Sequence, residues 1–363
     1  MTAGEGKMDM RVDRLPAPTW KLLGVNHADV SADLPEAAVP EISVPAGSSI
    51  TVSRTDAEDL RGMRTGCGPD MDKLVDAAGE KAYEISAPAG EKAAEPVIIR
   101  ADFAGGRSRA FRAVLRAEEG AEMTAVMVYS SAANAEGQAA VQTIIDAAPG
   151  AKVRLVQVDL LGGRFRLIND IGGRLGDSAA AGISEAILGG REIYSGCSMD
   201  LAGRSSRFGA DIGYMIGGDT ALDMNFEAVH RGKRTESRMS ADGALSGRCR
   251  KTFRGTIDFR RGCSGSKGNE TENILMFDDG VENKTVPLIL CAEEDVEGNH
   301  GATIGRLDDE VLFYMASRGI DEQSAYRAIA DSRLRKLCRM IPDGGIRLEA
   351  ERFFDAGTEE GDE

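Results

Sequence analysis

The chain has 363 residues, and its 44 Lys and Arg against 59 Asp and Glu give a formal net charge of −15. It contains 44 glycines, whereas aromatic residues make up only 5%. A hydrophobic fraction of 42% is too high for a disordered chain, so we expect a folded protein with a substantial core. The acidic balance argues against a general nucleic-acid binder, because binding to phosphates needs a basic field.

The apolar segments of the sequence and its cysteines indicate the cellular compartment of the protein. No stretch approaches the ~18 apolar residues of a membrane span, and the N-terminus has no apolar segment typical of a secretion signal. We therefore expect a cytoplasmic protein with no membrane contact. The cysteines form no CxxC pair, which favours reduced thiols over disulfides or a structural zinc site. They are Cys67, Cys197, Cys249, Cys263, Cys291 and Cys338.

Residues 1–82 are predicted to form a mixed, partly helical N-terminal region. Repeated prolines interrupt any long element before residue 50. The segment from Thr55 to Gly79 is predicted to be helical, with acidic residues near its start and regularly spaced apolar positions. A short apolar patch lies earlier, at Trp20, Leu22, Leu23 and Val25.

From residue 83 to residue 305 the pattern changes to short alternating runs closed by Gly, Asp or Asn. Alternation with a period of two, bounded by turn residues, is typical of strands. Recurring turns of Gly and a small residue, with few aromatic residues, favour a β-solenoid with a narrow interior. An antiparallel sandwich or barrel remains the alternative. The predicted strands are Val97–Phe103, Phe111–Arg116, Met123–Tyr129, Val153–Leu160 and Arg164–Ile168.

The last part of the chain returns to a helical pattern over residues 306–354. Asp308 to Glu310 place acidic residues at a helix start, and Arg318 and Gly319 are typical of its end. A second helix is predicted to begin at Ile320–Glu322 and to be stopped by Pro342 and Gly344. The acidic residues 355–363 are predicted to form a disordered tail.

The chain has only three histidines, His27, His230 and His300. His300 lies in a glycine-rich segment, where its imidazole is less shielded. A neutral imidazole is a good ligand for iron or zinc and is suited to proton transfer. Among the histidines, His300 is the best candidate for a metal ligand or a catalytic group, but the residues alone favour a turn histidine that only hydrogen-bonds to backbone. For His230, at the end of a predicted strand, a structural role is favoured.

Residues 231–261 hold ten basic side chains and only three acidic ones. Such a strip is suited to a phosphate-rich ligand or an acidic partner, or it is simply the solvent-facing side of a coil. The chain has no phosphate-binding loop, no dinucleotide fingerprint and no GxSxG elbow. It therefore does not look like an ATPase, a dehydrogenase or a serine hydrolase.

Two segments, FRGTIDF at residues 253–259 and HGATIGRLDDEVLFYMASRGI at residues 300–320, carry a family resemblance. The chain resembles the SufB/SufD family of iron–sulfur cluster assembly proteins. The resemblance implies a right-handed parallel β-helix with helical N-terminal and C-terminal segments. It also implies pairing of two family subunits through their β-helices, and an ABC-type ATPase, SufC, docked on the C-terminal helices.

The resemblance favours the SufD-like form. Val281 stands where SufB has a cysteine, and Gly301 follows His300 where SufB tends to have Glu. The resemblance implies that His300 takes part in cluster formation at the dimer interface. None of the six cysteines matches a family ligand, so we expect no firmly bound cofactor and at most a transient iron–sulfur cluster. The residues implied in ATPase binding are Asp308, Leu312, Phe313, Tyr314, Arg318, Gly319 and Ala325.

These observations predict a non-catalytic subunit of the assembly complex, paired with a SufB-like subunit or a second copy of itself. One alternative is a self-sufficient SufB-type scaffold homodimer. Another is a β-helix enzyme that acts on acidic polysaccharide through the strip at residues 231–261.

Overall fold

The computed structural model describes residues 6–19, 21–56, 62–103 and 107–359. Most of the described strands run parallel and alternate between two long sheets, so the chain winds into a β-solenoid. The predicted mainly β fold with a solenoid core is therefore confirmed.

Strands of sheet 1 and sheet 2 follow one another along the chain. Sheet 1 contains β3 (Glu36–Ala37), β5 (Thr51–Thr55), β6 (Ala82–Ala87), β8 (Ser108–Ala117), β10 (Glu136–Ala147), β12 (Arg164–Leu175), β14 (Glu192–Leu201), β16 (Ala221–His230), β18 (Arg250–Phe259) and β20 (Glu282–Cys291). Sheet 2 contains β4 (Glu41–Ser43), β7 (Val97–Asp102), β9 (Glu122–Ser130), β11 (Lys152–Leu160), β13 (Ala180–Ile187), β15 (Arg207–Ile216), β17 (Glu236–Leu245), β19 (Ser266–Met276) and β21 (Val296–Gly305).

Successive coils stack in register. Arg166 pairs with Glu192, and Arg250 pairs with Glu282, so one coil takes 26 to 32 residues. Because side chains alternate along a strand, every second one points into the lumen. These inward side chains form the main hydrophobic core, which runs through the solenoid from Ile85 to Ile274. Each coil thus buries its inner surface against its neighbours.

The corners between strands require glycine at some positions. Gly120 and Gly150 precede β9 and β11 with φ of 66° and 71°, a region that costs other residues energy. A Cβ built on Gly150 would lie 3.8 Å from the Gly120 Cα, so equivalent corners stack on each other. The recurrent glycine turns of the sequence are therefore the corners of the coils.

All five predicted strands are confirmed, as β7, β8, β9, β11 and β12. The strand β10 was not predicted. It carries Gln138 and Gln142 at outward positions, yet both are 1% exposed because the N-terminal region covers that face of sheet 1.

The N-terminal region contains an antiparallel hairpin, β1 (Lys7–Val12) and β2 (Ala28–Asp33), and a short helix, α1 (Pro69–Asp76). The predicted helix from Thr55 to Gly79 is wrong outside α1. Thr55 ends strand β5, and residues 57–61 lie outside the described residues. Gly66 then passes so close to sheet 1 that an added Cβ would lie 1.9 Å from the Cys197 nitrogen. This close backbone approach excludes a helix at residues 64–68.

The chain ends in α2 (Asp309–Ser317), α3 (Glu322–Cys338) and α4 (Gly344–Glu359). The predicted first two helices are confirmed, with the Asp308 and Asp321 side chains accepting hydrogen bonds from backbone N–H groups at their starts. The helix α4 was not predicted, and it begins at Gly344, which was expected to stop a helix. It also extends into the segment predicted as a disordered tail. Leu334, Leu337 and Ile346 pack α3 and α4 on the outer face of sheet 2.

None of the helices in the described parts of the chain is long and apolar enough to span a membrane.

Candidate functional site

The last coil leaves one end of the solenoid open. Within the described residues, β20 pairs only with β18, and β21 pairs only with β19. Residues 297–304 of β21 are all exposed, including Ile304 at 42%. We call this region, formed by β20 and β21, the open end. Its free backbone groups and exposed apolar side chains are suited to adding another strand.

His300 lies on β21 at the open end. It is in register with Glu270 of β19, which in turn is in register with Met239 of the hydrophobic core. Paired residues of parallel strands point to the same side, so His300 belongs to the inward row. Because no further coil covers it, its imidazole is exposed. His300 forms no hydrogen bond or ion pair within the described part of the chain.

Behind His300 the lumen holds a polar group of side chains, which we call the open-end cluster. Lys251 and Glu272 form an ion pair in which the side chains are only 0% and 1% exposed. Thr285 donates a hydrogen bond of 2.6 Å to Glu272, and the Tyr214 hydroxyl donates one of 3.4 Å. The members of the open-end cluster are Tyr214, Lys251, Glu270, Glu272 and Thr285.

Glu270 is the member closest in register to His300. Burial, and to a smaller extent the charge of Glu272, raises the pKa of Glu270 to about 7. One of its carboxyl oxygens has no hydrogen-bond partner among the described residues. A carboxyl group that titrates near neutral pH, beside an exposed imidazole, is suited to taking up and releasing protons. The open end therefore combines an accessible imidazole with a buried carboxyl group.

Sequence reasoning missed the open-end cluster. The available signal was the alternation itself, since Lys251 and Glu272 occupy inward positions on β18 and β19. A charged residue at an inward position has to find a partner across the lumen.

The cysteines do not form a metal site. Cys291 ends β20 and is exposed, and the other five are buried. The Cys291 thiol donates to the carbonyl oxygen of Glu293 at 2.9 Å. No group of three or more His, Cys, Asp or Glu in the described residues is arranged to hold a metal ion.

The other histidines have different surroundings. His230 is fully buried, and its two ring nitrogens contact the Thr235 and Ser237 hydroxyls at 2.7 and 2.8 Å. Burial lowers the pKa of His230 to about 4. The structural role expected for His230 is therefore confirmed. His27 is half-buried, and its ring lies 3.5 Å from Asp29.

The basic strip at residues 231–261 is not an open cationic surface. Six of its ten basic side chains form ion pairs, and Lys251 and Arg254 are fully buried. The expectation that strand alternation points the strip to solvent is therefore wrong for these two residues. The pairs are Arg231–Asp200, Arg238–Asp211, Arg248–Asp219, Lys251–Glu272, Arg254–Asp223 and Arg260–Asp258.

The residues implied in ATPase binding lie on α2 and at the start of α3. Phe313 and Tyr314 are 78% and 59% exposed, and Arg318 stacks 5.1 Å from the Tyr314 ring centre. Asp308 caps α2, Leu312 is half-buried, and Gly319 follows α2 with φ of 82°. Ala325 is fully buried, so it contributes to the packing of α3 and not to the exposed surface.

Comparison with known proteins gives consistent matches. A family model described as SUF system FeS cluster assembly, SufBD core domain, matches residues 101–332. The iron–sulfur cluster assembly protein SufD of Escherichia coli (strain K12) is 26% identical over 284 residues, which is 76% of this chain and 66% of that protein. SufD of Bacillus subtilis (strain 168) is 25% identical over 132 residues, 36% of this chain and 30% of that protein. SufB of Bacillus subtilis (strain 168) is 24% identical over 120 residues, 33% of this chain and 26% of that protein. The chain thus spans less than two thirds of the length of these relatives.

Proposed function

Because the chain belongs to the SufBD family of iron–sulfur cluster assembly proteins, we propose that it is a non-catalytic, SufD-like subunit of an assembly complex. In this role it pairs through its solenoid with a SufB-like subunit, binds a SufC-like ATPase and supports the building and transfer of a cluster. The cluster is cargo that passes through the site, and ATP is hydrolysed by the partner.

The observation that carries this proposal is the position of His300. It lies on the last strand of the solenoid, in the inward row, exposed and without a hydrogen-bond or ion-pair partner among the described residues. A second solenoid added to the open end would enclose the imidazole between two lumens. His300 would then provide a nitrogen ligand to a cluster shared by two chains, and Glu270 would accept or supply a proton behind it.

Pairing at the open end has its own physical support. The edges of β20 and β21 present unpaired backbone donors and acceptors, and soluble proteins rarely leave such long edges uncovered. A partner strand would satisfy these groups and cover Ile304. The same addition would close the lumen over the open-end cluster.

The surface of α2 supports the binding of a second kind of partner. Val311, Phe313 and Tyr314 are exposed on a helix in which no side chain is fully buried. An exposed apolar patch of this kind is typical of a binding surface. We expect the double variant Phe313→Ser/Tyr314→Ser to lose co-purification with a SufC-like ATPase, whereas Leu348→Ser, which removes a 46% exposed apolar side chain from α4, should retain it.

The decisive experiment replaces His300 by alanine in cells whose iron–sulfur enzymes depend on this chain. We expect the activity of those enzymes to fall, while thermal melting shows an unchanged fold. The control is His27→Ala, which removes a histidine from the N-terminal region and should leave the activity unchanged.

Normal activity of the iron–sulfur enzymes in the His300→Ala strain would contradict the assignment of His300 to the functional site. Anaerobic incubation of the lone protein with iron and sulfide tests the role in another way. A stable cluster on the lone protein would favour the self-sufficient scaffold over the SufD-like subunit.

A further inference from the structure

The β1–β2 hairpin lies across the outer face of sheet 1 and points toward the open end. When β2 is followed backward from Asp33 to the segment before Ala28, it crosses sheet 1 from β10 toward the free edge at β20. The base of the hairpin lies over β10, and the segment just before β2 lies over β18, next to β20. The contacts from base to tip are Asp33 O with Gln138 Nε2 at 2.9 Å, Ser31 O with Arg166 Nη1 at 2.9 Å, and Val25 O with Arg254 Nε.

The described residues at the tip of the hairpin include exposed apolar side chains. Asn26 closes the loop, because its side-chain oxygen accepts hydrogen bonds of 2.7 and 3.0 Å from the Thr19 backbone and hydroxyl. Inside it, the 3-10 turn Lys21–Leu23 ends at Gly24, which has φ of 62°. Leu22 is 100% exposed and Leu23 is 56% exposed. Val25 lies over β18, the neighbour of β20, and the two leucines lie within three residues of Val25 in the same loop.

The open end is also strongly acidic at both corners of its last sheet 1 strand. Asp278, Asp279 and Glu282 precede or begin β20, and Glu293, Glu294 and Asp295 follow it. Lys284 is the only basic residue between position 278 and position 295. A second copy of this chain, whether added parallel or antiparallel, would bring acidic corners against acidic corners. Like charges across an interface disfavour association.

We propose that Leu22 and Leu23 anchor a second β-solenoid chain at the open end, and that the acidic corners select a chain whose own end is basic over a second copy of this one. The proposal rests on the pairing at the open end that forms part of the proposed function. Burial of the two leucines supplies affinity, as apolar anchors do at interfaces. The carboxylates determine which partner is preferred, and they make the affinity depend on the salt concentration.

The experiment uses a basic-ended probe made from this chain, the quadruple variant Asp279→Lys/Glu282→Lys/Glu294→Lys/Asp295→Lys, in which Asp295 is an exposed residue and both corners of β20 become net basic. Glu282 and Glu294 are exposed, and the Asp279 side chain is 96% exposed and pairs only with Arg306 among the described residues. Their replacement should leave the fold intact, which thermal melting checks. Sedimentation at low salt then compares wild type alone, probe alone and an equimolar mixture.

We expect the mixture to form a 1:1 complex at least about tenfold tighter than either self-association, and we expect high salt to remove that difference. In the mixture, Leu22→Ser/Leu23→Ser in the wild-type chain should weaken the complex by about tenfold or more. The matched control is Val39→Ser, which removes a 79% exposed apolar side chain elsewhere in the N-terminal region and should have no effect.

Self-association of the wild type as tight as the mixed complex would overturn the charge selection while leaving pairing at the open end intact. Unchanged affinity of the leucine variant would overturn the anchor. If neither the mixture nor the wild type associates, both this proposal and the pairing step of the proposed function fail, whereas the His300 experiment still tests the role in cluster assembly.

Discussion

Two of the polar groups of side chains in the lumen of the solenoid differ in how completely they are enclosed. The first, which we call the sealed cluster, lies on β9, β11, β12, β13 and β14. Asn169 donates to Gln157 at 2.7 Å and to Glu185 at 3.2 Å, and Ser195 donates to Glu185 at 2.9 Å. Its members are Tyr129, Gln157, Asn169, Glu185 and Ser195, and each is hydrogen-bonded within the cluster.

The open-end cluster also consists of polar side chains in the lumen, but it is less completely enclosed than the sealed cluster. Its Lys251–Glu272 pair is enclosed as fully as the sealed cluster, yet Glu270 keeps an unpartnered oxygen, and His300 faces solvent in the next row. Every strand that carries the sealed cluster has a coil on both sides, whereas Thr285 and His300 lie on β20 and β21, which have a coil on one side only among the described residues. Polar side chains in the lumen therefore do not by themselves form a functional site. At the open end, it is the missing coil that leaves His300 accessible.

The largest expected effect comes from breaking the buried ion pair of the open-end cluster. Lys251→Met leaves the Glu272 carboxylate buried without its cation, which should lower the free energy of unfolding by about 3–5 kcal/mol. Chemical denaturation measures this change. The double variant Lys251→Met/Glu272→Leu should recover most of the loss, because the uncompensated charge is gone.

The control for that variant lies on the outside of the next strand. Lys267→Met removes an exposed pair with Glu297, and we expect no measurable change in stability. Equal losses of unfolding free energy in Lys251→Met and Lys267→Met would show that enclosure in the lumen does not determine the strength of an ion pair.

The next effect is a pH dependence that belongs to the sealed cluster. Burial raises the pKa of Glu185 to about 7, with the Ser195 hydrogen bond opposing the shift. The folded state therefore holds a proton that the unfolded state releases at lower pH, so stability is lost as pH rises through about 7. Between pH 5 and pH 8 this group alone should lower the free energy of unfolding by about 2–3 kcal/mol.

Glu185→Gln should reduce that slope, and Glu119→Gln, which changes an exposed carboxylate, should retain it. Denaturation at several pH values measures the slopes. A slope in Glu185→Gln equal to that of the wild type would mean that Glu185 is ionised when folded.

The smallest effect tests how tightly Glu270 is held. An added Cβ at Gly255 would lie 2.3 Å from the Glu270 carboxyl carbon, so Gly255→Ala should displace that side chain and cost about 1–2 kcal/mol. Gly182→Ala, where nothing lies within 4 Å of the new methyl, is the control and should be neutral. No difference between the two variants would mean that Glu270 moves freely.

Alternation in the sequence predicted the coils well, because strands such as β9 and β11 have an inner and an outer side that differ in polarity. It did not predict β10, whose outward Gln138 and Gln142 are covered by the N-terminal region. It also missed the Lys251–Glu272 and Arg254–Asp223 pairs, since partners 21 and 31 residues apart meet only when the coils have stacked. His300 was found through the family resemblance, but Glu270 required the register of β19 and β21.

The two ends of the solenoid differ in a way that bears on how large an assembly can become. At the N-terminal end, β4 and β5 pair antiparallel with β7 and β6, and they are only three and five residues long. Such short, reversed strands offer little template for further addition. A joint between two open ends would therefore use the only long free edges of the two sheets in the described part of each chain. The result would be a closed pair that does not lengthen into a fibre, although its building block is a repeat of stacked coils.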